Sequence, residues 1–93
     1  MLVMKINDLF LDRLPKIDLH GFDRDSARVM VDDFVNEAYL MGYGEIVIIH
    51  GIGSGVVKNA VQETLGKNKL VLNYHIDGVN NGCTVVSVRR KSD

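Results

Sequence analysis

Two short stretches hold the residues whose types and spacing suit chemistry: Asp18-Leu19-His20-Gly21 and His50-Gly51-Ile52-Gly53-Ser54-Gly55. Each sets a histidine directly before a glycine. Imidazoles titrate near neutrality and can take up or release a proton. Asp18 lies two residues before His20, so along a strand the two share one face, where the carboxylate can orient the ring. The second stretch has three glycines in five positions. Glycine permits positive φ and close approach of a ligand to the backbone. A helix that opens after such a loop has unpaired N–H groups and the positive end of its dipole at the loop. The expected chemistry is acid–base work beside a bound polyanion, with the amides of Gly51, Gly53, Ser54 and Gly55 as the cradle. Lys58, one turn further on, can approach the same charge. A plainer reading makes each histidine a turn partner, Asp18 a ligand of loop amides and Lys58 a solvated surface lysine.

These residues need elements to position them. Lys16–His20 alternates as a strand, with Ile17 and Leu19 on the face opposite Asp18 and His20. Asp23 suits an N-cap, and Asp25 suits the positive end of the helix that follows. The spacing of Ala27, Met30, Val31, Phe34, Val35, Ala38 and Met41 predicts one apolar helical stripe, with Asp32, Asp33, Asn36 and Glu37 solvated. Gly42 is a stop, and Gly44 helps the turn into a buried strand, Ile46–Ile49. A second helix from Val56 to Leu65 turns Val57, Ala60, Val61 and Leu65 inward and Lys58, Asn59, Gln62 and Glu63 outward, and Gly66 stops it. Leu70–Asp77 alternates, with Leu70, Leu72, Tyr74 and Ile76 on one face. Gly78–Gly82 reads as a turn, and Thr84–Val88 as the last strand. The order is β-α-β-α-β-β. The first two strands are joined by a right-handed parallel crossover and the last two by a hairpin. The C-terminal ends of parallel strands share one sheet edge, so His20 and His50 project from the same edge, a usual place for a site in an open α/β sheet.

Composition sets the bounds. Ninety-three residues suit one domain, here 16–91. Residues 1–15 read as an arm ended by Pro15, either packed on the domain or binding a partner. A net charge of −1 excludes a strongly basic nonspecific nucleic-acid binder, though not a local basic patch. The single cysteine, Cys83, has no internal partner, which points to a reducing compartment and a packing role. His75 reads as a surface residue. No apolar run approaches the roughly 20 residues that span a bilayer, and the start is too short and soon too charged for a signal peptide. The expected location is the cytoplasm, with no membrane partner. Two phosphate motifs fail on spacing: Val56 stands where a Walker A loop and a dinucleotide fingerprint, counted from Gly51, each need glycine.

The two boxes Ile17-Asp18-Leu19-His20-Gly21 and His50-Gly51-Ile52-Gly53, with Gly82-Cys83-Thr84-Val85-Val86 as a third, resemble the Smr domain, the small MutS-related module. Asn80 and Asn81 stand where that family tends to place further glycine. The resemblance covers about residues 16–90. It implies a two-layer α/β fold with a mixed four-stranded sheet, similar to the C-terminal domain of translation initiation factor three. It also implies nucleic-acid binding and, in several members, nicking endonuclease activity on DNA or structured RNA. A noncatalytic module that binds nucleic acid or the ribosome is the alternative, in a monomer or weak dimer. Phosphodiester cleavage needs a base, charge stabilisation and help for the leaving oxygen. By this resemblance Asp18, His20 and His50 are the catalytic candidates. Lys58 falls at a usually basic family position, and Arg24 and Arg28 are placed to track a phosphate backbone. Mg²⁺ or Mn²⁺ is the expected cofactor if one is used, and a three-ligand site of Asp18, His20 and His50 is a further option.

Overall fold

A computed structural model describes residues 13–91. Most of the arm expected over residues 1–15 therefore lies outside the described residues. The elements are β1 (Lys16–Asp18), α1 (Arg24–Met41), β2 (Glu45–Ile49), α2 (Val56–Lys67), β3 (Val71–Ile76) and β4 (Cys83–Val88). They follow the β-α-β-α-β-β order expected from the hydrophobic periods. The sheet order is β1-β2-β4-β3. β1 and β2 are parallel, with Asp18 opposite Ile49, while β4 runs antiparallel to both of its neighbours. The sheet is therefore mixed, and the ends of β1 and β2 lie side by side.

Both helices pack on one face of the sheet. Ala27, Val31, Val35 and Ala38 of α1 and Val61 and Leu65 of α2 meet Leu19, Ile46, Ile48, Val86 and Val88 in a continuous core. Full burial of such an aliphatic side chain stabilises by roughly 1.5–3 kcal/mol. The stripe of α1 is narrower than the sequence suggests. Met30 and Phe34 pack at its margin, and Met41 is exposed because it lies beyond the last turn that faces the sheet. Asp23 caps α1 by accepting from the Ser26 amide at 2.7 Å, and Gly42 ends it at φ 85°.

Two expectations are corrected. Gly66 does not stop α2, which continues to Lys67. It is absent from the positive-φ glycines, so it stays helical. A Cβ at this position would make an ordinary contact with the Tyr74 hydroxyl, at 3.5 Å, so nothing in the packing demands glycine here. Asn68 provides the stop instead: its backbone is extended, its side-chain oxygen accepts from the Leu70 amide, and its amide group donates to Asp32 of α1. On β3, Leu72 does not share a face with Tyr74. Val71 pairs with Val88 and Asn73 with Ser87, which leaves Leu72 as the extra residue of a bulge. A bulge moves the alternation on by one, so Val71 and Tyr74 pack on the core and Leu72 is exposed.

Candidate functional site

The first histidine–glycine corner is a tight turn at the end of β1. The Phe22 amide donates to the Leu19 carbonyl at 3.0 Å, and Gly21 has φ 84°. A closing bond and positive φ at the third position fit a type II turn, which favours glycine there. Leu19 is fully buried and anchors the turn, so His20 is pushed outward with its side chain 69% exposed. Asp18 then holds that ring. Its Oδ1 accepts from the His20 amide at 3.1 Å and from Nδ1 at 2.6 Å. A carboxylate only accepts, so Nδ1 carries a hydrogen and the neutral ring keeps its lone pair on Nε2. The same bond from the imidazole, ahead of all other causes, holds the Asp18 carboxyl below its usual value.

The second corner follows β2 and has a different environment. The His50 and Gly51 amides both donate to the Gly82 carbonyl, at 2.8 and 3.0 Å. His50 is 4% exposed. Its Nδ1 donates to the Gly51 carbonyl at 2.9 Å, and its Nε2 accepts from the Thr84 hydroxyl at 2.8 Å. Both ring nitrogens of His50 are thus engaged inside the protein. Gly51 has φ 85°, and a Cβ there would stand 3.2 Å from that of His20. The two corners are therefore in contact.

The expected neighbours meet in one cleft of about 380 Å³. His20, His50, Gly51, Gly53, Ser54, Gly55 and Lys58 line it. Asp18 joins through its bond to His20. α2 starts at this cleft from Gly55, which is left-handed at φ 87° and has no side chain to cap the helix. The Ser54 hydroxyl approaches the Val56 amide at 3.4 Å, long for a hydrogen bond. Gly51 is the exception in the expected cradle, because its amide hydrogen is already held by Gly82. Arg24 and Arg28 fall outside the cleft, in an adjoining groove between the helices that shares Val56 with it. Arg28 is further tied to Asp25 at 3.1 Å and to Glu63 of α2 at 2.9 Å. Among the described residues, no group of three histidine, cysteine or acidic side chains is placed to hold a metal ion. Cys83 is buried at the start of β4, and burial raises its thiol pKa. No helix of the described residues is long and apolar enough to cross a membrane.

Sequence reasoning missed three functional neighbours. Thr84 locks the His50 ring, and its place in the third glycine box was the available signal. Gly82 carries the second corner on its carbonyl, in a turn tightened by Asn80, whose side-chain oxygen accepts from the Gly82 amide. Phe22, beside the first box, lines the cleft with Ile52 and Val56.

A mixed sheet with two parallel strand ends opening onto a glycine loop and an uncapped helix start defines a small open-sheet α/β domain with a cleft at its strand ends. The Smr domain family model matches residues 17–89, and the chain belongs to that family. It is 40% identical over 72 residues to Endonuclease MutS2 of Clostridium acetobutylicum, a match covering 77% of this chain and 9% of that protein. Endonuclease MutS2 of a Geobacillus strain is 37% identical over 73 residues, covering 78% of this chain and 9% of the relative. This chain thus spans about a tenth of the length of the curated relatives it matches. The crystal structure of the Smr domain of Thermus thermophilus MutS2 superposes with a TM-score of 0.79 at 29% identity, over 82% of this chain and 99% of that one. The stand-alone small MutS-related protein YdaL of Escherichia coli shares the fold, with a TM-score of 0.77 at 23% identity over 84% of this chain and 66% of that one.

Proposed function

We propose that this Smr domain binds DNA or structured RNA at the strand-end cleft and nicks a phosphodiester bond there. The observation that carries the reading is the Asp18–His20 pair: a 2.6 Å bond fixes the tautomer and leaves Nε2 open beside an uncapped helix start. The name of the MutS2 relatives, an endonuclease, supports the same class of chemistry.

In this reading His20 Nε2 takes a proton from water as the water oxygen attacks phosphorus. Asp18, kept ionised by the imidazole bond, stabilises the imidazolium that forms. The loop amides after Gly51 and the Lys58 ammonium offset charge on the phosphoryl oxygens. The bond to the leaving oxygen breaks, and that oxygen takes the proton back from the imidazolium. His50 is a positioning residue: it holds the glycine loop against β4 through Thr84. Arg24, in the adjoining groove, follows the backbone away from the scissile bond, whereas Arg28 braces the two helices. Magnesium and manganese favour oxygen ligands and keep several waters. Asp18 is the residue that would hold such an ion, together with substrate oxygens, and the ion would supply charge neutralisation. The reaction belongs in the cytoplasm, where an unpaired Cys83 stays reduced.

The test is a nicking assay on supercoiled plasmid and structured RNA, with and without Mg²⁺ or Mn²⁺. The wild-type chain should nick, and a His20→Ala/His50→Ala variant should bind without nicking. Equal behaviour of the two, with binding intact, would leave a noncatalytic module for nucleic acid or the ribosome. Affinity should fall with added salt, because each phosphate contact releases counterions.

A further inference from the structure

We infer that Phe22 is a nucleobase-stacking residue and that the cleft takes an unpaired nucleotide, base against Phe22 and phosphate against the glycine loop. The inference rests on the reading of the cleft as a phosphodiester site and adds the state of the substrate.

The lining of the cleft has two chemical characters. One is polar: the loop amides, Lys58 and His20. The other is apolar: Phe22 is 40% exposed, Val56 48% and Ile52 75%, and all three line this one cleft. Phe22 does not follow its neighbour Leu19 into the core. The Leu19–Phe22 turn bond and the positive φ of Gly21 carry it outward, on the same turn that carries His20. Phe34, by contrast, packs against the core.

A nucleotide presents the same two characters, an anionic phosphate and a flat apolar base. A volume of about 380 Å³ falls in the range of clefts that hold one small ligand. In a duplex both faces of each base are covered by its stacked neighbours. A side-chain ring at a cleft wall reaches a base face in a duplex only by prising two stacked pairs apart, which costs unstacking energy, whereas an unpaired nucleotide at a bulge, loop, gap or end offers its face without that cost. Stacking tolerates any base, so the expected selectivity is for structure rather than sequence.

The chain has no tryptophan, so Phe22→Trp installs a sole indole whose emission reports stacking. The full chain is titrated with DNA and RNA hairpins that carry one unpaired nucleotide, with the same hairpins abasic at that position, and with fully paired duplexes. The wild type should bind the unpaired probes about tenfold tighter than the abasic ones, a modest value for aromatic–base stacking. Phe22→Ala and Phe22→Leu should both lose that preference, with circular dichroism melts confirming the fold. Phe22→Trp should keep it and be quenched by the unpaired probes alone. The DNA and RNA arms separate the two sources of the nucleotide. Binding that is equally tight to abasic probes, or unchanged in Phe22→Leu, overturns the stacking role and leaves the phosphodiester reading standing. Failure of the wild type to bind any probe removes both.

Discussion

The Thr84 hydroxyl and the His50 ring, 34 residues apart in the chain, meet at 2.8 Å inside the protein. Thr84 is fully buried, so this bond has no water to replace it. Thr84→Val keeps the shape, removes the donor and leaves Nε2 unsatisfied. Such a group costs about 1–3 kcal/mol, and for a domain of this size each kcal/mol lowers Tm by roughly 4–8 °C. Thr84→Ser should restore most of the loss. Thermal melts decide it: a Thr84→Val protein as stable as wild type would show that the hydroxyl does not lock the ring.

Gly51 and Gly53 sit two residues apart in one loop and should respond oppositely to alanine. Gly51 has positive φ and stands 3.2 Å, measured to its would-be Cβ, from His20. Holding alanine in that backbone region costs about 1–3 kcal/mol, and relief of the contact moves His20. Gly53 has open space and no positive φ. Gly51→Ala should therefore lower Tm and disturb the His20 imidazole resonances, whereas Gly53→Ala should leave both near wild type. Similar melting curves for the two variants would contradict the contact between the corners.

The sequence made the β-α-β-α-β-β order legible because α1 and α2 show a helical period and β2 a short apolar run. It also placed His20 and His50 at one edge, since a parallel crossover brings strand ends together. It could not separate the roles of the two histidines. That difference comes from Gly21, which turns His20 out, and from Thr84, which reaches His50 from a strand paired across the sheet. Both residues stand in the boxes, but spacing along the chain does not show which way Gly21 turns His20 or that Thr84 meets His50. The bulge at Leu72 escaped notice for a related reason: alternation reads as regular until the partner strand shows which residue is unpaired. Gly66 misled because it keeps a helical backbone, and the turn falls two residues later at Asn68.

The Asp18–His20 bond makes separate predictions for the two members in the proposed nicking reaction. His20→Ala removes the base, and loss of such a group lowers the rate roughly 10²–10⁴-fold. Asp18→Asn leaves the ring in place and removes the negative charge, so it should lower kcat while KM stays near wild type. Initial rates over a range of plasmid concentrations separate the two parameters. A change in KM alone would make Asp18 a binding residue.

Acid should weaken this fold through particular carboxylates. Asp18 titrates below its ordinary value of 3.8, chiefly because the His20 ring donates to it. Asp23 is shifted the same way by the Ser26 amide at the start of α1. A carboxyl whose folded pKa is depressed contributes stability above its unfolded pKa and loses it as pH falls through the folded one. Unfolding free energy should hence be insensitive to these two groups from pH 7 down to about 5 and decline below about 4. Asp18→Asn and Asp23→Asn should each flatten that decline, and the double variant should flatten it further, since the two sites belong to different turns. Urea titrations at a series of pH values measure the slope directly. Single variants as acid-sensitive as the wild type would mean that neither bond favours the folded state.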